Sequence, residues 1–190
     1  MKIITLGGRF GQACAAAIVL GLSSIAIKWQ TPGYSPPPQT GFSAFVGAYG
    51  LIVAAIGAAA IFLSFIRETW MIALDGLAVA CFAVAGIVLS IKMSGLNCSE
   101  DFSQGLDVKH QKAMVLFDGG EDADGRFTCQ PAHVDERTRT CDTSYLTGQC
   151  HTITADAAFL WITFMFCVAA GVLAWRLRLR GSTRRSTSAA

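Results

Sequence analysis

Four cysteines in one polar segment are the side chains whose type and spacing most clearly predict chemistry. The segment, residues 94–153, holds ten Asp and Glu residues against five Lys and Arg residues. Thiols in an oxidising compartment pair as disulfides, above all in a segment too small for a large core of its own. We therefore predict two disulfides among Cys98, Cys129, Cys141 and Cys150. Three pairings are open, and a Cys98–Cys150 bridge that closes the segment at its base is the attractive one.

A zinc site is the alternative use of these cysteines, because His133 and His151 lie nearby. Zinc sites usually contain two close pairs of ligands, such as C-x-x-C. Cys129 and His133 form one loosely spaced pair, and a second pair with suitable spacing is missing from the segment. Disulfides are therefore the better interpretation, and the lack of C-x-x-C also argues against a thiol oxidoreductase.

One charged residue, Asp75, lies inside the long apolar runs of the chain. On a helical wheel it shares a face with Val79, Phe82, Gly86 and Ser90. Small residues line that face, so the carboxylate is expected to point into a helix bundle and away from lipid. A carboxylate within a membrane is costly unless it is paired or protonated.

Two roles are open for Asp75: a proton- or ion-sensing site, or a structural carboxylate that ties helix ends together. Its candidate partners at the same end of the predicted bundle are Arg9, Gln12 and Arg176. A transport path normally requires more than one intramembrane ionisable group, so the structural role is preferred.

The composition of the chain is that of a membrane protein. Of its 190 residues, 53% are hydrophobic and 15% are charged, and the mean hydropathy is +0.47. A soluble domain carries about a quarter charged residues. At about 1.5 Å per residue, helices in four apolar runs are long enough to approach or exceed a hydrocarbon layer of about 30 Å. These predicted spans are residues 11–27, 42–66, 70–91 and 157–175.

The expected fold is an all-α membrane protein with four transmembrane helices in an antiparallel bundle. One side of the predicted spans is flanked by eight Lys and Arg residues and the other by only Lys28 and Lys92, so both termini are placed in the cytosol. The expected organisation is a cytosolic N-terminus (1–10), a membrane domain (11–175) with a disulfide-bonded outer loop (94–153) between the third and fourth helices, and a basic cytosolic tail (176–190). The first run also resembles a signal peptide, but residues 27–30 are a poor cleavage context.

Small residues recur at fourfold spacing inside the spans, as at Ser43 and Gly47 in the second span and at Ala17 and Gly21 in the first. Such positions allow helix backbones to approach closely. We expect them to face neighbouring helices within the bundle, with formation of a homo-oligomer as the weaker alternative.

Five arginines follow the fourth span: Arg176, Arg178, Arg180, Arg184 and Arg185. Near an anionic inner leaflet each could contribute about 1 kcal/mol of attraction, so they are candidate contacts for anionic lipid. The simpler interpretation is a stop-transfer tail that only fixes orientation.

Asn97 begins an N-x-S sequence, which is an acceptor motif for glycosylation. It adjoins both the predicted membrane surface and Cys98, so the unmodified state is the preferred interpretation.

The sequence contains no Gly-rich phosphate loop, no nucleophile beside a base and no metal cluster. We therefore expect a protein that is not an enzyme, that needs no cofactor and that does not bind nucleic acid.

With the spans placed, the chain resembles small fungal MARVEL-domain proteins over nearly its whole length. The resemblance is carried by residues 18–23 (IVLGLS), 41–45 (GFSAF), 73–78 (ALDGLA, with Asp75), Cys98, Cys150 and 157–161 (AAFLW). It implies a four-helix membrane protein without catalytic residues, involved in membrane apposition, lipid-domain organisation or vesicle trafficking. The enlarged loop with Cys129 and Cys141 departs from the family pattern.

The leading functional hypothesis is a membrane organiser that contacts lipids and partner proteins in the plasma membrane or in secretory or endosomal membranes. Sterol, sphingolipid and anionic inner-leaflet lipid are the candidate lipids. A tetraspanin-like adhesion or scaffolding protein that acts through its outer loop is the alternative, although the Cys-Cys-Gly motif of tetraspanins is missing. A small transporter or channel rests on Asp75 alone and is the least favoured.

Overall fold

Four long helices account for nearly all of the described chain. The computed structural model describes the backbone of residues 2–29, 37–62, 68–95, 98 and 143–187. The helices are α1 (Lys2–Lys28), α2 (Pro38–Phe62), α3 (Glu68–Met93) and α4 (Thr143–Thr187). Within these ranges there is no strand, as expected where backbone polar groups must be satisfied inside each apolar segment.

Two helix ends show why the sequence begins or ends a helix where it does. Pro38 opens α2, where proline is tolerated because the first N–H groups of a helix have no partner within it. The carbonyl of Pro37 accepts the N–H groups of Thr40 and Gly41 at 3.1 and 3.2 Å. After α3, Gly95 has a φ of 84°, the left-handed conformation that commonly terminates helices.

All four helices contain segments long and apolar enough to cross a membrane: Thr5–Lys28, Pro38–Ile61, Thr69–Met93 and Thr147–Leu173. The prediction of four helices long and apolar enough to span a membrane is confirmed. The bounds differ most at the fourth span, since α4 begins at Thr143, within the segment expected to be loop. The same helix continues to Thr187, through most of the predicted tail.

The helices form a ring in chain order, in which α1 and α3 each pack against α2 and α4. Neighbours are antiparallel: Ser23 of α1 meets Asp156 of α4, while Gln12 meets Cys167 further along. We call the two ends of the bundle the Arg9 end, which also carries Cys167, and the disulfide end, which carries Cys150.

The buried residues of each helix recur at spacings of three and four, as in α4 at Gln149, Ile153, Asp156, Leu160, Thr163 and Cys167. This spacing is typical of helices that pack with small crossing angles, as in four-helix bundles. Bulky apolar side chains on all four helices point outwards, and they include Phe10, Phe45, Ile91 and Met165. The outer surface of the bundle is therefore suited to lipid.

The small residues of the second span pack as expected, whereas those of the first do not. A Cβ atom on Gly47 would lie 2.8 Å from the backbone nitrogen of Leu20, so this glycine permits a close approach of α1 and α2. Ala17 and Gly21 are exposed instead, and a Cβ on Gly21 would meet nothing within 4 Å. The prediction that Ala17 and Gly21 face a neighbouring helix is wrong, because the rotation of α1 turns Val19 and Ser23 inwards in their place.

Candidate functional site

A buried ion pair lies at the Arg9 end of the bundle. Nη1 and Nη2 of Arg9 donate to Oδ1 and Oδ2 of Asp75, each at 2.6 Å. The exposed fraction is 5% for Arg9 and 1% for Asp75. A bidentate ion pair of this kind is among the strongest polar contacts, and it neutralises both charges within the apolar interior.

Two further polar side chains extend this pair to α4. Arg9 Nη1 also donates to Oε1 of Gln12 at 2.9 Å, one helical turn further along α1. Nε2 of Gln12 in turn donates to the sulfur of Cys167 at 3.2 Å. We call Arg9, Gln12, Asp75 and Cys167 the Arg9 centre, which links three of the four helices.

The remaining helix, α2, makes room for this centre through a glycine. A Cβ on Gly57 of α2 would lie 2.5 Å from Nε of Arg9 and 2.7 Å from its Cζ. The guanidinium group therefore rests against the bare backbone of α2, where any larger residue would displace it.

Asp75 faces the interior as predicted, and other residues of its predicted face also lie against the neighbouring helices. Phe82 and Gly86 are buried, and Ser90 accepts a hydrogen bond from the indole N–H of Trp161 at 3.1 Å. Of its three candidate partners, Arg9 and Gln12 belong to the centre, whereas Arg176 is exposed beyond the end of the fourth span.

A second buried carboxylate, Asp156, lies towards the disulfide end. Its Oδ2 accepts a hydrogen bond from the hydroxyl of Ser23 at 2.8 Å, and the exposed fraction of Asp156 is 3%. Its Oδ1 has no hydrogen-bond partner among the described residues. We call Ser23 and Asp156 the Asp156 centre.

Two more buried polar side chains of the described helices have unpartnered atoms near this end: the amide of Gln149 on α4 and the hydroxyl of Thr40 on α2. Their exposed fractions are 1% and 3%. Both are turned into the bundle and away from lipid.

The sequence prediction missed the Asp156 centre, because hydropathy alone placed the start of the fourth span at residue 157. It also treated Arg9 as a flanking cation, whereas the structure buries Arg9 within a spanning segment. The spacing of three and four that runs backwards from Cys167 through Leu160 to Gln149 was the signal that could have extended the span.

The structure joins Cys98, just beyond α3, to Cys150 in α4 by a disulfide with a Cα–Cα distance of 5.6 Å. This is the pairing that closes the predicted loop at its base. Cys129, Cys141 and Asn97 lie outside the described residues, so the second disulfide and the glycosylation motif stay predictions.

Of the five arginines predicted to contact anionic lipid, Arg176 has a described side chain, and it is exposed. The backbone at Arg178, Arg180, Arg184 and Arg185 belongs to α4, while their side chains lie outside the described part of the chain.

A ring of four span-length apolar helices, with Arg9, Asp75 and Asp156 turned inwards and bulky apolar groups outwards, defines an integral membrane protein of the multi-pass class. Comparison with family models then matches residues 2–173 to MARVEL, described as a membrane-associating domain. The match covers most of the chain, and the protein belongs to the MARVEL family. Searches of curated proteins and of solved structures each found no match.

Proposed function

We propose that this protein is a non-enzymatic organiser of membrane domains, or of membrane apposition and trafficking, that works through contacts of its helices with lipids and other membrane proteins. The observation that carries the proposal is the distribution of charged and large apolar side chains between the interior and the surface of the bundle. The charged side chains Arg9, Asp75 and Asp156 are buried inside the bundle, and large apolar side chains on all four helices face outwards. Membership of a membrane-associating family supports the same role.

The interior argues against transport as the main function. Between the two polar centres, the described core is filled by Ala16, Val19, Phe82 and Leu160, all fully buried in one apolar cluster. Both oxygens of Asp75 are held by Arg9. An ion that crossed the bundle would therefore have to pass an apolar layer and separate a buried ion pair, and both steps are costly.

The proposed orientation places both termini in the cytosol, with the Arg9 end at the inner leaflet. Arg9 itself is paired and buried, so the cations that act in the positive-inside rule are Lys2, Arg67 and the tail arginines. In this orientation Arg176 stands at the inner surface, where the tail can contact anionic lipid. The disulfide would then face the oxidising side, where such bonds persist.

The test is the distribution of a tagged full-length protein in the plasma membrane or in secretory and endosomal membranes. We expect it to concentrate with a sterol or sphingolipid marker and to disperse when sterol or sphingolipid is depleted. A uniform distribution that is insensitive to both treatments would contradict the proposal.

A tetraspanin-like adhesion or scaffolding role is the second candidate, and the disulfide at the base of the outer loop favours it because the bridge would hold the loop as one unit. Deletion of residues 101–140, which leaves Cys98 and Cys150 in place, separates the two roles. An organiser keeps its membrane distribution after the deletion, whereas an adhesion protein loses its partner.

A further inference from the structure

The two buried carboxylates of the bundle differ in one respect. Asp75 is neutralised by Arg9 through two hydrogen bonds, whereas Asp156 accepts a hydrogen bond from the uncharged hydroxyl of Ser23. We propose that Asp156 is the acceptor of one positive charge taken from the disulfide side of the membrane, either a proton or a small alkali cation. This inference does not depend on the proposed function.

The charged groups of the helices around Asp156 leave its charge uncompensated within the described residues. On α1 and α3 the nearest cations towards this end are Lys28 and Lys92, and both are exposed. The span Pro38–Ile61 of α2 contains no charged residue. On α4, His151 is exposed. The structure shows no ion pair for Asp156 in the part of the chain that it describes.

An ionised carboxylate that is 3% exposed and lacks a counter-charge is costly to hold inside an apolar bundle. Binding one positive charge removes that cost. A proton forms a single O–H bond at the unpartnered Oδ1 and displaces no group. An alkali cation would instead contact Oδ1 directly, since carboxylate and hydroxyl oxygens are hard ligands that suit hard cations.

The position of other polar atoms indicates the side of entry. Gln149 precedes Asp156 by two turns of α4, about 10 Å towards the disulfide end. Gly47 of α2 lies against Leu20 of α1, and the two helices are antiparallel. Thr40 precedes Gly47 by seven residues, so it lies two turns beyond Gly47 towards the disulfide end. Both side chains are buried with unpartnered polar atoms. In the opposite direction lies the apolar layer of Val19 and Phe82.

The experiment measures the thermal midpoint Tm of the full-length protein in nanodiscs of uncharged lipid. One arm varies pH from about 8 to about 5 in choline chloride, a range in which a histidine also titrates. The other arm replaces choline by sodium at the highest pH. We expect Tm to rise in one arm by about 3 °C per tenfold increase in the free concentration of the ion that binds, because a ligand that binds the folded state stabilises it.

Asp156→Asn is the decisive variant, because its amide keeps an acceptor for Ser23 and carries no charge. We expect it to lose the response and to remain at the high Tm. Asp156→Ser, which has a smaller side chain, serves the same purpose if the amide does not assemble. His151→Gln is the matched control and should keep the wild-type response.

Infrared spectra identify the bound charge. A carboxylic acid C=O band that is present in the wild type at low pH and absent from Asp156→Asn identifies a proton. A sodium-dependent Tm without that band identifies an alkali cation. The proposal is overturned if the wild type responds in neither arm, or if Asp156→Asn responds as the wild type does.

Discussion

Arg9 and Asp75 are joined by two hydrogen bonds of 2.6 Å across the diagonal of the helix ring, from α1 to α3. Helices on a diagonal are not neighbours, so this contact couples two elements that the ring itself holds apart. Because both partners are almost fully buried, solvent screens the pair little. Each buried charge is therefore compensated mainly by the other.

Removal of one partner should therefore destabilise the bundle strongly. We expect Arg9→Ala or Asp75→Ala to lower the free energy of unfolding by about 3 kcal/mol, because each leaves a buried charge unpaired. The double variant Arg9→Met with Asp75→Leu should recover most of this loss. Denaturant unfolding in mild detergent measures all three.

Arg176→Gln is the control for this prediction, since Arg176 is exposed and should change the free energy of unfolding by less than about 0.5 kcal/mol. If Arg9→Ala combined with Asp75→Ala lost the sum of the two single-variant losses, the two side chains would not interact.

We expect substitution of Gly57 to lower the stability of the bundle only through its contact with Arg9. A Cβ at Gly57 would lie 2.5 Å from Arg9 Nε, so Gly57→Ala should cost about 1–3 kcal/mol by overpacking. In an Arg9→Ala background the same substitution should cost little, because the guanidinium is gone. Gly76→Ala, where a Cβ would meet nothing within 4 Å, is the matched control. An equal cost in both backgrounds would exclude this explanation.

Gly47 and Gly21 form a second matched pair, one inside the bundle and one outside. Gly47→Ala would place a methyl group 2.8 Å from the backbone nitrogen of Leu20. Backbone cannot rotate away, so we expect α1 and α2 to separate and Tm to fall. Gly21→Ala adds its methyl group to open space and should leave Tm unchanged or slightly higher. Comparison of the two melting curves tests which face of α1 lies inside.

The Cys98–Cys150 disulfide closes a sequence separation of 52 residues. The chain-entropy relation gives about 4 kcal/mol for such a loop, and membrane-inserted helices in the unfolded state reduce that value. We expect Cys98→Ser to lower stability by up to that amount, with Cys14→Ser, at an unpaired exposed cysteine, as the control. Non-reducing peptide mapping that finds Cys98 bonded to Cys129 would contradict the assignment.

The broad fold could be predicted from the sequence because it depends on properties of single segments, and the family could be recognised from the order and spacing of several short stretches along the chain. Apolar length determines whether a segment can span a membrane, and four such segments were recognisable. The wheel around Asp75 likewise pointed the carboxylate inwards. Helix ends were harder, because the first turns of α4 are polar in composition, although Gln149 and Cys150 are buried there.

What only the tertiary structure decided is how the helices are rotated and aligned with one another. That alignment chose Arg9 and not Arg176 as the partner of Asp75, and it turned Gly21 out to the surface. It also brought Asp156, which the sequence prediction left just outside the fourth span, onto Ser23 inside the bundle. The physical reason is that rotation and register are set by the packing of four helices together, so no single segment encodes which of its polar groups will meet.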